Sequence, residues 1–491
     1  MQVPAGADDR PNVIFILTDD QGCGDGAAFG HPYLKTPTLD RLAAEGSHFK
    51  QFYVASPVCS PSRAAFMTGQ YPARHSVDHI YRNDTEWNDR LGIPHYLDPS
   101  VETLPGMLRR AGYVTGHFGK WHLGKAGGAP DPGAYGIDEH LTYASPGDPM
   151  FACADEMEPV PEQLWRECGR SEEQARFYRY SSQIIADQAI NFIEKHRDER
   201  FFMNVWTAVP HAPLLPTETM LAEYRRLAPS ADARQFGRWM QDYLRKAPDL
   251  ERQMKTYCAA MTDLDVHIGR VIERLDALGL ADNTIVVFAS DNGPEDYEIG
   301  NARNAGVGNT GPLRARKRSL YEGGIRTPLL VRWPGRVPAG RVDDENIVAA
   351  VDLLPTVCEL AGVEVPADIA CDGTSVASAW QGAKRERSKP LHWEWMFKIW
   401  HDDYVSPMLA IREGDWKLLH NPDGSRVELY DVNQDPEEVT NRAADYPDVV
   451  NRLREASLAW QRTLPESRVR NQWTEHVAPW DVPPEDPLDR D

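Results

Sequence analysis

Residues 12–22 read NVIFILTDDQG and residues 36–46 read TPTLDRLAAEG. The first is an apolar, β-branched run closed by polar and turn-forming residues, the pattern of a strand from Asn12 to Leu17 that is buried on both faces. The second spaces apolar side chains at helical intervals, with Thr at the cap and Gly at the stop. Together they make one βα unit, and repetition of that unit decides the fold. TLPGMLRRAGY leads into YVTGHFG, SQIIADQAINFIEKH into FFMNVWTA, and a long amphipathic segment from about Glu251 to Leu278 into NTIVVFAS. TPLLVRW and DLLPTVCELAG follow. Such alternation predicts a large mixed, mostly parallel sheet sandwiched by helices. Residues 127–161, rich in Gly, Pro, Asp and aromatics, read as a loop lying over that sheet.

Past DGTSVASAW the texture changes. SKPLHWEWMFKIW, SPMLAIREG, DWKLLHNPDG and SRVELYDV read as short strands joined by turns, followed by a helix near Pro447 to Thr463. The expected division is an α/β catalytic domain over 1–380 and a smaller C-terminal antiparallel α+β domain over 381–491. The acidic, Pro-rich tail WTEHVAPWDVPPEDPLDRD is expected to wrap the surface or stay loose.

Length and composition fit a globular enzyme, with 491 residues, 41% hydrophobic content and a charged fraction of 26%. No apolar run reaches the roughly 20 residues that cross a bilayer, so the expectation is a soluble chain without a membrane partner. The start, MQVPAGADDRPN, has neither a basic nor an apolar leader region. That leaves the compartment open between the cytoplasm and a periplasmic or secreted location reached after signal removal. Seven cysteines without CxxC pairing suit reduced thiols rather than a disulfide framework or a zinc ribbon. A formal charge of -21 repels polyanions, which argues against nucleic acid. An anionic substrate therefore needs a local cationic pocket, and nothing in the sequence addresses oligomeric state.

Asp19 and Asp20 follow the first strand at the carboxyl edge, where open α/β sheets bind ligands. The strand NTIVVFAS ends in DNG, which puts Asp291 and Asn292 at a second such edge. Each pair alone is an ordinary turn. Jointly they offer four oxygen ligands, suited to a hard cation, Ca2+ or Mg2+, rather than to zinc.

Between them lies VASPVCSPSRAAFMTGQYP, in which Pro61 suits a first helical turn and leaves Cys59 at a helix N-terminus, where free N–H groups stabilise anions. GKWHLG supplies Lys120 and His122, which on a strand lie two apart and share a side, with Trp121 turned away. AVPHAPLLP supplies His211 after another strand, and LRARKRSLYEGGIRTP supplies Lys317.

These stretches resemble the formylglycine sulfatases of the alkaline phosphatase superfamily over about Pro11 to Asn441. The DNGPE and EGGIR wording is most similar to that of the arylsulfatase A and N-acetylgalactosamine-6-sulfatase relatives. The resemblance implies that a formylglycine-generating enzyme reads Cys59, Pro61 and Arg63 and oxidises Cys59 to 3-oxoalanine. It implies Asp19, Asp20, Cys59, Asp291 and Asn292 as metal ligands, and Cys59, Arg63, Lys120, His122, His211 and Lys317 as the catalytic set. The substrate it implies is a sulfated small molecule or saccharide. Sulfate-ester transfer builds charge on equatorial oxygens and on the departing alkoxide, which explains the ring of cations. In the family, Asp291 helps take the nucleophile's proton, His211 with Lys317 protonates the leaving oxygen, and His122 deprotonates the second hydroxyl of the aldehyde hydrate so that sulfate departs.

Two features stay open. Of the basic run Arg314, Arg316, Lys317 and Arg318, only Lys317 is assigned to catalysis, the rest reading as a solvated face or a grip on further anionic groups. Trp393, Trp395 and Trp400 are spaced to stack on a sugar or to pack the small domain's core, with packing favoured. The alternatives are a phosphonate monoester or phosphodiester hydrolase of the same superfamily and a noncatalytic sulfoglycan-binding protein. A classical alkaline phosphatase is disfavoured, because it would carry Ser or Thr at position 59 and further His ligands.

Overall fold

The computed structural model describes residues 10–82, 85–125, 128–144, 159–167, 170–296, 304–396, 402–467 and 470. The predicted βα alternation is present as ten strands: β1 (Asn12–Asp19), β2 (Ser47–Phe49), β3 (Phe52–Tyr53), β4 (Val114–Lys120), β5 (Glu139–Tyr143), β6 (Phe201–Pro210), β7 (Thr284–Ser290), β8 (Leu329–Arg332), β9 (Arg341–Asp343) and β10 (Val348–Ala349). β3 and β10 pair with each other, and the other eight form one sheet in the order β5-β4-β6-β1-β7-β8-β2-β9. The run from β5 to β7 is parallel throughout. β8 opposes both of its neighbours, so the sheet is mixed but mostly parallel.

β1 is the centre, and each of its residues is buried, as an apolar run covered on both faces requires. Phe15 packs against Phe66 of the helix Cys59–Thr68, with ring centroids 5.0 Å apart. Phe118 of β4 packs at 5.5 Å against Phe192 of the helix Glu172–Lys195, which lies beside the long helix Leu250–Ala277. β4 and β6 approach closely at Gly119, where an added Cβ would lie 1.8 Å from the Trp206 carbonyl oxygen, so no larger residue fits.

The helix Pro37–Glu45 starts where the sequence indicated, but Thr36 does not cap it with its side chain. Its hydroxyl instead accepts from the Ala27 N–H, tying down the preceding loop. The loop reading of residues 127–161 needs correction. A 3-10 turn, Pro132–Tyr135, leads into β5, which adds an edge strand beside β4. The short EHLTY segment escaped notice because its polar residues hide the strand pattern; residues 145–158 lie outside the described part.

The last four strands are β11 (Leu391–Glu394), β12 (Leu409–Glu413), β13 (Trp416–His420) and β14 (Glu428–Asp431), an antiparallel sheet in chain order. Alternation gives it two faces. Ile411, Leu418 and Leu429 meet Leu453 of the helix Pro447–Gln461. Ala410, Leu419 and Tyr430 point the other way and join the hydrophobic core of the large sheet. Buried charge also ties the two sheets together, because Lys417 bridges Glu322 and Glu438 at 2.9 Å each. Trp393 and Trp395 are buried, in agreement with the packing reading, while Trp400 falls outside the described residues. The described cysteines, Cys23, Cys59, Cys258, Cys358 and Cys371, are free thiols. Among the described residues no helix is long and apolar enough to cross a membrane.

Candidate active site

Four neighbouring parallel strands, β4, β6, β1 and β7, deliver their carboxyl ends to one place. Lys120 ends β4, His211 follows β6, Asp19 ends β1, and Asp291 follows β7. This is the crevice in which open α/β sheets bind ligands. Successive strand residues normally point to opposite faces, yet Asp19 and Asp20 serve the same cluster. A register irregularity between Leu17 and Asp19 and a left-handed φ of 72° at Asp20 turn the chain there.

The fully buried helix Cys59–Thr68 places Cys59 in its first turn and ends at Gly69, whose left-handed φ of 66° lets its N–H reach the Ala65 carbonyl. The Cys59 Sγ lies 3.4 Å from Asp19 Oδ1 and 3.9 Å from Asp20 Oδ1. One helical turn on, the Arg63 guanidinium donates to Asp291 Oδ2 from Nε at 3.0 Å and from Nη2 at 2.7 Å, and to the Lys120 carbonyl at 3.0 Å. It rests over the Trp206 ring at 5.1 Å. Lys120 Nζ donates to Asp19 at 2.6 Å, and Lys317 Nζ to both oxygens of Asp20 at 2.7 Å.

Oxygen donors from Asp19, Asp20 and Asp291 and the Cys59 Sγ all lie within 4.8 Å of one another. Asn292 Nδ2 donates to Asp20 Oδ1 at 2.7 Å, and the buried Asn292 Oδ1 has no partner among the described residues. Burial and the charge of Asp19 push the Asp291 carboxyl up to about 7 despite Arg63. Burial also works against the charge of Asp19, but Lys120, His211, Arg63 and Lys317 hold that carboxyl well below the ordinary range. Crowded carboxylates and an orphaned amide oxygen suit a hard divalent cation.

The two histidines are both half-buried but differ in their partners. His211 keeps 34% of its side chain exposed; its Nδ1 bonds the Ala212 carbonyl at 2.6 Å, and its Nε2 lies 3.9 Å from Asp20 Oδ2. His122 is not on a strand, contrary to expectation. β4 ends at Lys120 and His122 takes a left-handed φ of 57°. The Trp121 and His122 N–H groups bond the Tyr143 and Ala144 carbonyls, so the chain turns along β5. His122 nevertheless faces the charges of Lys120, Arg63 and Asp19, and its buried Nδ1 has no partner among the described residues. Burial, aided by Lys120 and Arg63, holds it well below the ordinary histidine range and therefore neutral.

The solvated-face reading of the basic run also fails. Arg314 stacks over Tyr321 at 3.7 Å, and the buried Arg316 donates to the carbonyls of Glu295, Gly306 and Gly308. Arg318 pairs with Glu295. Glu295, four residues after Asp291, was not among the sequence candidates. The acid that follows DNGP was the only signal, and its partners lie more than twenty residues downstream.

The protein-family model described as Sulfatase matches residues 11–363, and the one described as N-sulphoglucosamine sulphohydrolase, C-terminal, matches residues 315–462. N-acetylgalactosamine-6-sulfatase of Homo sapiens is 34% identical over 386 residues, covering 76% of this chain and 66% of that protein. This chain thus spans about two thirds of that relative's length. Arylsulfatase A of Homo sapiens is 28% identical over 496 residues, covering 91% of this chain and 87% of its own. The solved structure of Ps i-CgsB in complex with k-i-k-neocarrahexaose superposes with a TM-score of 0.74 at 24% identity, over 96% of this chain and 98% of that one. Phosphonate monoester hydrolase of Agrobacterium radiobacter does so with a TM-score of 0.63 at 22% identity, over 92% and 96%. At these identities the two structures establish a common fold.

Proposed function

The chain belongs to the sulfatase family of sulfuric ester hydrolases, and from that membership we propose that it cleaves the sulfate monoester of a sulfated carbohydrate, with Cys59 matured to formylglycine and Ca2+ bound beside it. The observation that carries this reading is the meeting of Cys59, three carboxylates and three cationic side chains at one sheet edge. The relatives named N-acetylgalactosamine-6-sulfatase support a sugar sulfate as substrate.

Formylglycine supplies, on hydration, one hydroxyl to attack sulfur and a second whose deprotonation lets sulfate leave, and a bound cation supplies positive charge for the sulfate oxygens. The chain's own residues do the remaining work. Asp19, Asp20, Asp291 and Asn292 would hold the cation. Lys120, paired with Asp19, and Lys317, paired with Asp20, offset charge on the transferring group. Asp291, oriented by the Arg63 fork, takes the nucleophile's proton. His211, with Nδ1 tied to a carbonyl, presents Nε2 to the leaving oxygen together with Lys317. Neutral His122, whose Nδ1 no described residue engages, is the base for the second hydroxyl.

The test pairs peptide mass spectrometry around Cys59, on protein co-produced with a formylglycine-generating enzyme, with sulfate release from 4-nitrophenyl sulfate and N-acetylgalactosamine 6-sulfate. The parent is expected to release sulfate, and Cys59→Ala to lose at least about 100-fold in rate. Modified peptide with faster turnover of phosphonate monoesters or phosphodiesters than of any sulfate ester would transfer the assignment to the rival chemistry.

A further inference from the structure

Three consecutive residues of the basic run grip one acid. Arg316 Nε donates to the Glu295 carbonyl at 3.0 Å, Lys317 Nζ lies 3.2 Å from Glu295 Oε2, and Arg318 donates to both carboxylate oxygens. Neighbouring side chains on regular backbone diverge, so this convergence needs a folded segment. Ala315 and Arg318 provide it with left-handed φ values of 65° and 69°. Two successive amides dock the segment, because the Lys317 N–H bonds the Pro294 carbonyl and the Arg318 N–H bonds the Pro57 carbonyl, both at 3.0 Å. Glu295 is 4% exposed and also accepts from the Asp296 N–H at 2.9 Å.

A lysine ammonium is a point charge on a flexible stem with three donors. Here two bonds run to Asp20, and Glu295 Oε2 forms an ion pair with the same ammonium at 3.2 Å. Glu295 lies on the His211 side, since donor atoms of Asp20, His211 and Glu295 fall within 4.8 Å of one another. We infer that Glu295 is the positioning residue that holds Lys317 toward His211, where a leaving oxygen would sit, with Arg318 fixing the glutamate. Without that carboxylate, Lys317 swings fully onto Asp20 and leaving-group assistance falls. The inference rests on the proposed roles of Lys317 and His211.

The experiment compares parent, Glu295→Gln and Glu295→Asp as calcium-loaded, formylglycine-bearing enzymes on phenyl sulfate, a poor leaving group, and 4-nitrophenyl sulfate, a good one. Gln keeps the volume but sets a donor against the Lys317 ammonium. The expected result is a kcat fall of about 10-fold to 100-fold on phenyl sulfate, about 3-fold or less on 4-nitrophenyl sulfate, and KM within about 3-fold on both. Asp restores the charge one methylene short and should lie between parent and Gln; if the Gln protein does not fold, the Asp variant decides by the same ratio. Equal falls on both esters, or the parental ratio, overturn the inference. A parent that carries formylglycine and releases sulfate from no ester overturns the sulfatase reading instead. Crystal structures of parent and variant then decide the fate of Glu295: an unmoved Lys317 ammonium overturns its role, and one displaced toward Asp20 supports it.

Discussion

Arg63 and Asp291 are joined by two hydrogen bonds to a single carboxylate oxygen, Nε at 3.0 Å and Nη2 at 2.7 Å, in a pair sealed from solvent. The other Asp291 oxygen accepts from the Asp20 N–H at 3.1 Å, so this one carboxylate locks the Cys59 helix, the end of β7 and the turn after β1 together. Arg63→Lys keeps the charge but loses the fork, the Lys120 carbonyl contact and the stacking on Trp206. Activity on a sulfate ester should fall about 100-fold or more. A kcat/KM within a few-fold of the parent would show that the fork is dispensable.

Asn292 presents a buried Oδ1 that no group among the described residues satisfies. Asn292→Leu removes that donor along with the bond from Nδ2 to Asp20. Calcium content by elemental analysis should fall well below that of the parent, and the rise in melting temperature on adding calcium should shrink, because a ligand stabilises only the state that binds it. An undiminished calcium-induced rise would remove Asn292 from the ligand set.

Lys417 holds two buried carboxylates, Glu322 and Glu438, where the small sheet meets the segment that follows Lys317. Burial, together with the charge of Glu322, pushes Glu438 up to about 7 even with the lysine present. Lys417→Met leaves Glu438 without its cation and Glu322 with Arg326 in place of two. Breaking a buried pair in this way costs about 3–5 kcal/mol. Urea unfolding measures it, and a loss below about 1 kcal/mol contradicts the bridge.

Asp25 accepts from the Gly22 and Asn309 N–H groups, each at 2.8 Å, and from the Tyr257 hydroxyl at 2.7 Å. Burial outweighs these bonds and pushes the carboxyl from its ordinary 3.8 up to about 7. The folded pKa lies above the unfolded one, so the stability from this proton is complete below about 3.8 and lost as pH rises through about 7. One proton is worth a slope of up to about 1.4 kcal/mol per pH unit in that window. Asp25→Asn should flatten stability between pH 4.5 and 7 relative to the parent, read by urea unfolding at each pH. If the two proteins track each other across that range, Asp25 does not titrate as described.

The amino-acid sequence alone determined the central strands of the sheet, β4, β6, β1, β7 and β8, and the segments that meet at their edge. Asn12 to Leu17 and NTIVVFAS are apolar runs with no other stable place than a doubly covered sheet, and chain direction then puts the acids that follow each of them at the carboxyl edge. The reading of Cys59 at a helix start rested equally on local pattern, on Pro61 and the residues around it. The tertiary structure alone decided which charges are interior. Arg316, Arg318 and Glu295 look like surface residues because a charge is buried only when a partner meets it, and the partner of Arg318 is 23 positions away. His122 reached the pocket through a left-handed turn rather than along a strand, and β5 stayed hidden because an edge strand needs little apolar sequence once a neighbour supplies its hydrogen bonds. Local pattern carries periodicity and turn chemistry, whereas the pairing of charges, and with it the shape of the site, is set by contacts between residues distant in the chain.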